Sequence, residues 1–124
     1  MKLYVDDIRN APDESWTVAR SINSAISFIA KFGKEISHIS IDHDISHQVA
    51  IGSLSRPYPC EETFRAVAYF IGEKYRDSGF DIPSVIIHSS NPAGCDEIYG
   101  ILTAYNITPE IKMTGIANRL EMEI

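Results

Sequence analysis

The stretch ISHISIDHD, residues 36–44, decides the fold of this chain. Its first six residues alternate apolar and polar side chains, a pattern typical of a β-strand. The charged residues Asp42, His43 and Asp44 follow at once, where the strand is expected to stop and its backbone to turn outward. The stretch therefore predicts a strand with a charged end.

Two further apolar runs end in a similar way. Residues 3–5 (LYV) are followed by Asp6 and Asp7, and residues 85–87 (VII) open into the polar turn HSSNPAG, residues 88–94. In an open parallel sheet, ligands bind outside the carboxyl ends of the strands, near the point where the strand order reverses. We therefore expect the three strand ends to form one site, although they are far apart in the sequence.

The rest of the chain alternates short apolar runs with helical periodicity, as expected for β-α units. Strand patterns occupy residues 16–19 and 111–113, and helical patterns begin after Ser21 and cover residues 64–75 and 98–105. Gly33 and Gly79 are placed to end the first two helices. These patterns predict a single α/β domain, residues 1–124, with a parallel sheet of about five strands.

Two segments carry weaker expectations. Residues 46–60 form a connection longer than the usual ~4–6 residues, which makes this loop a candidate lid. Residues 115–124 are expected to form a final helix.

Composition argues against several classes of protein. The formal charge of −6, from 11 basic and 17 acidic residues, argues against extended DNA binding, which depends on Lys and Arg meeting phosphates. No apolar stretch reaches the ~20 residues needed to cross a membrane, and the N-terminus does not resemble a signal peptide. Cys60 and Cys95 lack zinc-ligand spacing and are expected to be free thiols in the cytoplasm.

The acidic residues at the strand ends favour a divalent cation. Four carboxylates that converge in a small volume repel one another, and their oxygens suit Mg²⁺ or Mn²⁺, which would relieve the repulsion. We assign Asp6, Asp7 and Asp42 as the metal ligands, with Asp44 either completing the shell or orienting His43.

The remaining polar residues suit phosphate chemistry. Histidine side chains can gain or lose a proton near neutral pH, so one of His43 and His88 is predicted to act as a base and the other as an acid. Hydrogen-bond donors that could bind phosphate oxygens follow the strand ends or lie near them, namely Arg9, Arg20, Ser89, Ser90 and Asn91.

Taken together, the stretches LYVDDIR (3–9), IDHD (41–44) and IHSSNPAG (87–94) resemble the cyclic-phosphate processing receiver domain family of bacteria and phages. The resemblance covers most of the chain. It implies a receiver-like, flavodoxin-like three-layer sandwich in which a loop over residues 10–15 replaces the first helix. It also implies a role in RNA repair, in which the protein handles cyclic phosphate at RNA ends.

The resemblance also assigns individual residues. It implies that Asp6, Asp7 and Asp42 form the acidic pocket of receivers, with Asp42 in the place of the phosphate-accepting aspartate. Ser89 takes the place of the hydroxyl residue after the fourth strand. Ordinary receivers carry a lysine followed by proline at the end of the fifth strand, whereas here Lys112 precedes Met113 and Thr114. This departure disfavours aspartyl-phosphate signalling.

The leading hypothesis is a metal-dependent phosphoesterase that acts on a cyclic phosphate, with an RNA terminus as the candidate substrate. Two alternatives stay open. The first is a receiver-like regulatory or ligand-binding module with Asp42 as phosphoacceptor and no catalysis of its own. The second is a nuclease-like metal fold, because an Asp-x-Asp after a strand also occurs in such folds. The sequence does not identify a protein partner.

Overall fold

The computed structural model describes residues 1–45 and 63–113. Within them the chain forms five strands and three helices. In chain order they are β1 (Lys2–Val5), β2 (Trp16–Ala19), α1 (Ile22–Phe32), a 3-10 turn (Gly33–Glu35), β3 (His38–Ile41), α2 (Arg65–Ser78), β4 (Ser84–Ser89), α3 (Pro92–Ala104) and β5 (Glu110–Met113).

The five strands form one parallel sheet in the order β2-β1-β3-β4-β5. This is the strand order of flavodoxin-like folds, and it reverses direction between β1 and β3. The carboxyl ends of all five strands lie at the same edge. The receiver-like α/β fold expected from the sequence is therefore confirmed, including the absence of a helix between β1 and β2 in the described residues.

The helices cover one face of this sheet. Each of the connections β2-α1-β3, β3-α2-β4 and β4-α3-β5 moves along the sheet in the same direction, and right-handed crossovers then put all three helices on the same side. Alternate strand residues such as Leu3, Val5, Ile39 and Ile41 pack with these helices in one apolar core. Of the three predicted layers, residues 1–45 and 63–113 supply a helical layer and the sheet.

Local chemistry fixes the helix ends. Ser21 caps α1 in a reciprocal pair with Ser24, and Gly79 ends α2 in the left-handed conformation at φ 73°. Helix α1 ends at Phe32 with Gly33 as its C-cap, as expected, but Gly33 stays in the right-handed region at φ −48° and begins the 3-10 turn. The Tyr75 hydroxyl of α2 donates a 2.7 Å hydrogen bond to the Gly33 carbonyl and so ties the end of α1 to α2.

Two other sequence-based boundaries differ from the structure. Strand β4 extends to Ser89 because its last two residues pair with Lys112 and Met113 of β5, so His88 belongs to a strand rather than to a turn. Strand β3 begins at His38, two residues later than expected. The candidate lid and the final helix lie outside the described residues. No helix in the described part is long and apolar enough to cross a membrane.

Removing the Tyr75 hydroxyl tests the packing between α1 and α2. Burial raises the pKa of Tyr75 to about 12, above the ordinary value of 10.0. The unfolded chain therefore loses this proton at a lower pH than the folded chain, and stability falls as pH rises from 10 towards 12. We expect Tyr75→Phe to cost about 1 kcal/mol at pH 8, where the Gly33 carbonyl loses its donor.

The unfolding free energies of the variant and the unmodified chain should then converge at higher pH, because the phenylalanine ring of the variant has no proton to lose. Urea unfolding at pH 8, 10 and 11 measures this difference. Tyr69→Phe, at an exposed position of the same helix, controls for the loss of a tyrosine. If the unfolding free energies of Tyr75→Phe and the unmodified chain changed by the same amount between pH 8 and 11, the expectation would be contradicted.

Candidate functional site

Asp6 is the most constrained acid of the site. It follows β1 directly and is fully buried. Its Oδ1 accepts hydrogen bonds from the amides of Ile8 and Arg9, at 3.0 and 2.9 Å, so the chain after β1 turns back around the carboxylate. Its Oδ2 accepts from His88 Nε2 at 2.9 Å and from Arg9 Nη1 at 3.2 Å.

These four donors determine the charge of Asp6. Burial alone would raise the pKa of Asp6, but the hydrogen bonds from His88, Arg9 and Ile8 outweigh burial and hold that pKa well below its usual range. The carboxylate is therefore ionised at neutral pH and held in one orientation.

Asp42 lies beside Asp6 because β3 is the neighbour of β1. Its amide donates to the Val5 carbonyl at 2.9 Å, which continues the parallel pairing to the strand end. Its Oδ1 accepts from the His43 amide at 2.8 Å and its Oδ2 accepts from Arg9 Nη1 at 3.1 Å. Burial and the nearby charge of Asp6 raise the pKa of Asp42 to about 6. The two carboxylates therefore repel each other in this pocket.

Asp7 completes a cluster that fits a divalent cation. Asp6, Asp7 and Asp42 each offer a carboxylate oxygen, and these oxygens lie within 4.8 Å of one another. Oxygen donors with excess negative charge are the ligands that Mg²⁺ prefers. One nitrogen of Arg9 already bridges Asp6 and Asp42, which shows that the oxygens of these two residues can share one positive group. The three residues could therefore hold a metal ion.

His88 supports this cluster from the face of the sheet opposite the helices. Its ring stacks on Tyr4, with 4.3 Å between the ring centroids and an 8° angle between the planes. Nε2 contacts Asp6, and Nδ1 lies 2.7 Å from Ser40 Oγ on the neighbouring strand β3. Both ring nitrogens are thus engaged, and the imidazole is buried.

His43 lies on the other side, against the start of α3. Its Nδ1 is 2.7 Å from Asp44 Oδ1 and its Nε2 is 2.6 Å from Glu97 Oε1. Ionised carboxylates only accept hydrogen bonds, so both bonds form together only when both ring nitrogens carry protons. The hydrogen bond from His43 holds the pKa of Glu97 below its usual range, and Arg65 lies 3.5 Å from the same carboxylate.

The residues after β4 shape the start of α3. The Asn91 side chain caps the helix by accepting from the Gly94 amide at 3.1 Å, and its Nδ2 donates to Asp44 Oδ1 at 3.2 Å. Ser89 is buried, and its Oγ accepts from the Asn91 amide at 3.1 Å. Ser90 is exposed at the rim. Ser90 is thus the only one of these three predicted phosphate-binding side chains that is exposed.

The basic residues discussed in the sequence analysis make different contacts. Arg9 reaches the carboxylate pair while its side chain stays 31% exposed. Arg20 stabilises the backbone that follows β1, because its Nη1 donates to the carbonyls of Arg9 and Asp6 at 2.7 and 3.2 Å. Lys112 is exposed and pairs in register with His88, and within residues 1–45 and 63–113 it takes part in none of the salt bridges.

The structure brings Asp6, Asp7, Asp42, His88 and Arg9 into one contact network. Asp44, His43 and Asn91 form a second network beside it, joined to the first through the bond between the His43 amide and Asp42. Sequence reasoning missed Ser40 and Glu97. Ser40 shares the strand face of Asp42 and could have been found from the period of two in β3, whereas Glu97 carried no such signal.

Comparison with known proteins agrees with the geometry. The family model described as the cyclic-phosphate processing receiver domain matches residues 1–104. The match therefore extends from β1 to the end of α3 and includes every residue of both networks. A search of curated proteins and a search of solved structures returned no match.

Proposed function

This chain belongs to the cyclic-phosphate processing receiver domain family, and from that membership we propose that it is a metal-dependent phosphoesterase that hydrolyses a cyclic phosphate at an RNA end. The observation that carries the proposal is the carboxylate cluster of Asp6, Asp7 and Asp42 at the reversal point of the sheet. Ligands of open parallel sheets bind at this position.

In the proposal, Asp6, Asp7 and Asp42 hold Mg²⁺ or Mn²⁺. A cation bound to these carboxylates supplies charge neutralisation for the phosphate and a lowered pKa for water. Backbone amides occupy Oδ1 of Asp6, so Oδ2, which also accepts from His88, is the oxygen that would bind the cation, and Asp42 Oδ2 is the matching oxygen after the neighbouring strand. Both oxygens now accept from Arg9, so cation binding requires Arg9 to turn away from them.

Arg9 is then the natural phosphate ligand of the site. Its guanidinium is partly exposed and is joined to the pocket by a flexible side chain, and guanidinium groups bind phosphate oxygens in a bidentate manner. Ser90, exposed beside the start of α3, and the positive end of that helix dipole add to the attraction for an anion. In the proposal, Arg20 keeps the backbone of the Arg9 loop in place.

The two histidines receive unequal roles in this proposal. His43 is the better candidate for the proton donor, because its ring contacts the partly exposed carboxylates of Asp44 and Glu97, whereas His88 is buried between Asp6 and Ser40. It would deliver a proton to the ribose oxygen that leaves phosphorus. His88 is buried and directed at Asp6, which supports an orienting role. The base expected for the attacking water stays a prediction.

The experiment is incubation of the purified chain with an RNA oligomer that ends in a 2′,3′-cyclic phosphate, with Mg²⁺ or Mn²⁺. Hydrolysis breaks one phosphorus–oxygen bond of the ring and adds a water, so the product should gain the mass of one water and carry a phosphomonoester. A chelator should abolish the reaction. Absence of turnover with any divalent cation, across several cyclic substrates, would overturn the proposal.

A second candidate is a regulatory module with Asp42 as phosphoacceptor. It is favoured by one observation: Asp42 follows β3, the strand that lies between β1, which Asp6 follows, and β4, whose last residue is Ser89. The exposed position of Lys112 disfavours it. Exposure to acetyl phosphate and Mg²⁺, followed by intact mass, separates the two candidates. Only the regulatory module should gain a phosphate that Asp42→Asn prevents.

A further inference from the structure

Ser40, His88 and Asp6 form a buried hydrogen-bonded chain that runs across three strands. Ser40 Oγ lies 2.7 Å from His88 Nδ1, and His88 Nε2 lies 2.9 Å from Asp6 Oδ2. We propose that Ser40 is a positioning residue that fixes the tautomer of His88 and, through it, the metal-binding orientation of Asp6. This inference rests on the proposed function, because it assigns Asp6 to the cation.

The direction of the hydrogen bonds follows from the acceptor at one end. An ionised Asp6 can only accept, so the proton of the shared bond sits on His88 Nε2. In a neutral imidazole the other nitrogen, Nδ1, is then an acceptor. Ser40 supplies the matching donor, because a hydroxyl can rotate its hydrogen towards Nδ1. With the opposite tautomer, the Nε2 lone pair would face the carboxylate.

The packing around the His88 ring restricts its hydrogen-bond partners. Ser40 and His88 are each 4% exposed, and Tyr4 lies flat against the ring. Water therefore cannot replace the hydroxyl as a partner for Nδ1 without a cavity. In such a buried setting an unmade hydrogen bond costs more than one at the surface.

The effect on the cation site follows from the contacts of Asp6. Backbone amides hold Oδ1, while Oδ2 accepts from His88 and from the partly exposed Arg9. Without Ser40, the His88 ring can take the tautomer that removes the Nε2 donor. Asp6 Oδ2 then loses its hydrogen bond from the buried His88 ring. The Arg9 guanidinium becomes the main group that competes with the cation for this oxygen.

The test compares Ser40→Ala with Ser37→Ala. Ser37 offers a matched control, because its Oγ lies 2.8 Å from His38 Nδ1 just before the same strand and remote from the acids. Mn²⁺ affinity is measured by electron paramagnetic resonance of the free ion. We expect Ser40→Ala to weaken Mn²⁺ binding about tenfold, a typical effect of removing a residue that orients a metal ligand. Ser37→Ala should leave Mn²⁺ binding unchanged.

Nitrogen-15 NMR of the His88 ring reads the tautomer directly. The unmodified chain should carry its proton on Nε2, and Ser40→Ala should mix the two tautomers, while Ser40→Thr, which keeps a hydroxyl, should restore the Nε2 form.

A protonated Nδ1 in the unmodified chain, or unchanged Mn²⁺ affinity in Ser40→Ala, overturns the inference. The spectrum of the unmodified chain decides the matter even if the alanine variant does not fold. Failure of the unmodified chain to bind Mn²⁺ instead counts against the proposed function, whereas the NMR result still tests the role of Ser40.

Discussion

Asp42→Asn should lower the affinity for Mn²⁺ about 100-fold or more, because the number of charged ligands tunes the affinity of such sites over orders of magnitude. The same change should stabilise the metal-free protein at neutral pH by about 1–2 kcal/mol. Asparagine keeps the oxygen that accepts from the His43 amide, and the partly exposed Arg9 can turn away from the new amide group.

The sign of the stability change follows from the raised pKa of Asp42. That pKa is about 6 in the folded chain and 3.8 ordinarily, so between these values the folded chain binds more protons than the unfolded chain. The contribution of Asp42 to stability is therefore fully present below pH 3.8 and is lost as pH rises through 6. Asparagine has no such charge, so the gain should appear at about pH 7.5 and disappear near pH 4.

Urea unfolding in a chelator at both pH values measures this change. Asp81→Asn, an exposed carboxylate before β4, is the matched control and should alter neither stability nor Mn²⁺ binding. An Asp42→Asn protein that binds Mn²⁺ as well as the unmodified chain would contradict the assignment of this ligand. A loss of metal-free stability at neutral pH would contradict the repulsion between Asp6 and Asp42.

Gly94→Ala should abolish turnover while leaving Mn²⁺ binding in place. A Cβ at Gly94 would lie 2.4 Å from His43 Nδ1 and 2.9 Å from the His43 Cβ, far inside van der Waals contact. The ring must then leave its place between Asp44 and Glu97. We expect a cost of about 1–3 kcal/mol in unfolding free energy, which is typical of overpacking.

Gly100→Ala supplies the control within the same helix. Among the described residues, no atom lies within 4 Å of a Cβ added there, and the position is exposed. Replacement of an exposed helical glycine should stabilise the protein by about 0.5–1 kcal/mol. Thermal unfolding, Mn²⁺ titration and the RNA assay are run on both variants. Full turnover in Gly94→Ala would contradict the role of His43 as proton donor.

Much of the fold could be predicted from the sequence because its signals are local. Alternation in residues 36–41, short apolar runs and helical periods identified all five strands and three helices of the described residues. The carboxyl ends of parallel strands share an edge, so a common edge for Asp6 and Asp42 was predictable, and the adjacency of β1 and β3 brings the two carboxylates together. Element ends were less certain, because the length of β4 depends on its pairing with β5.

Contacts between distant side chains could not be predicted in the same way. Both histidines were expected to serve the same reaction, yet His43 points to the helix layer and His88 to the opposite face. Counting alternate positions along β4 to His88, and from β3 onward to His43, would have predicted that the two side chains lie on opposite faces of the sheet. Glu97 emerges only once α3 is packed beside His43, because nothing in its local sequence distinguishes it from an exposed helical acid.

The most direct test of the central claim is an anomalous difference map from crystals of the chain grown with Mn²⁺ and phosphate. We expect one strong peak about 2.1 Å from carboxylate oxygens of Asp6 and Asp42, a typical length for small divalent cations, with Arg9 turned towards the phosphate. A map without a peak among Asp6, Asp7 and Asp42, at Mn²⁺ concentrations that support turnover, would contradict the claim.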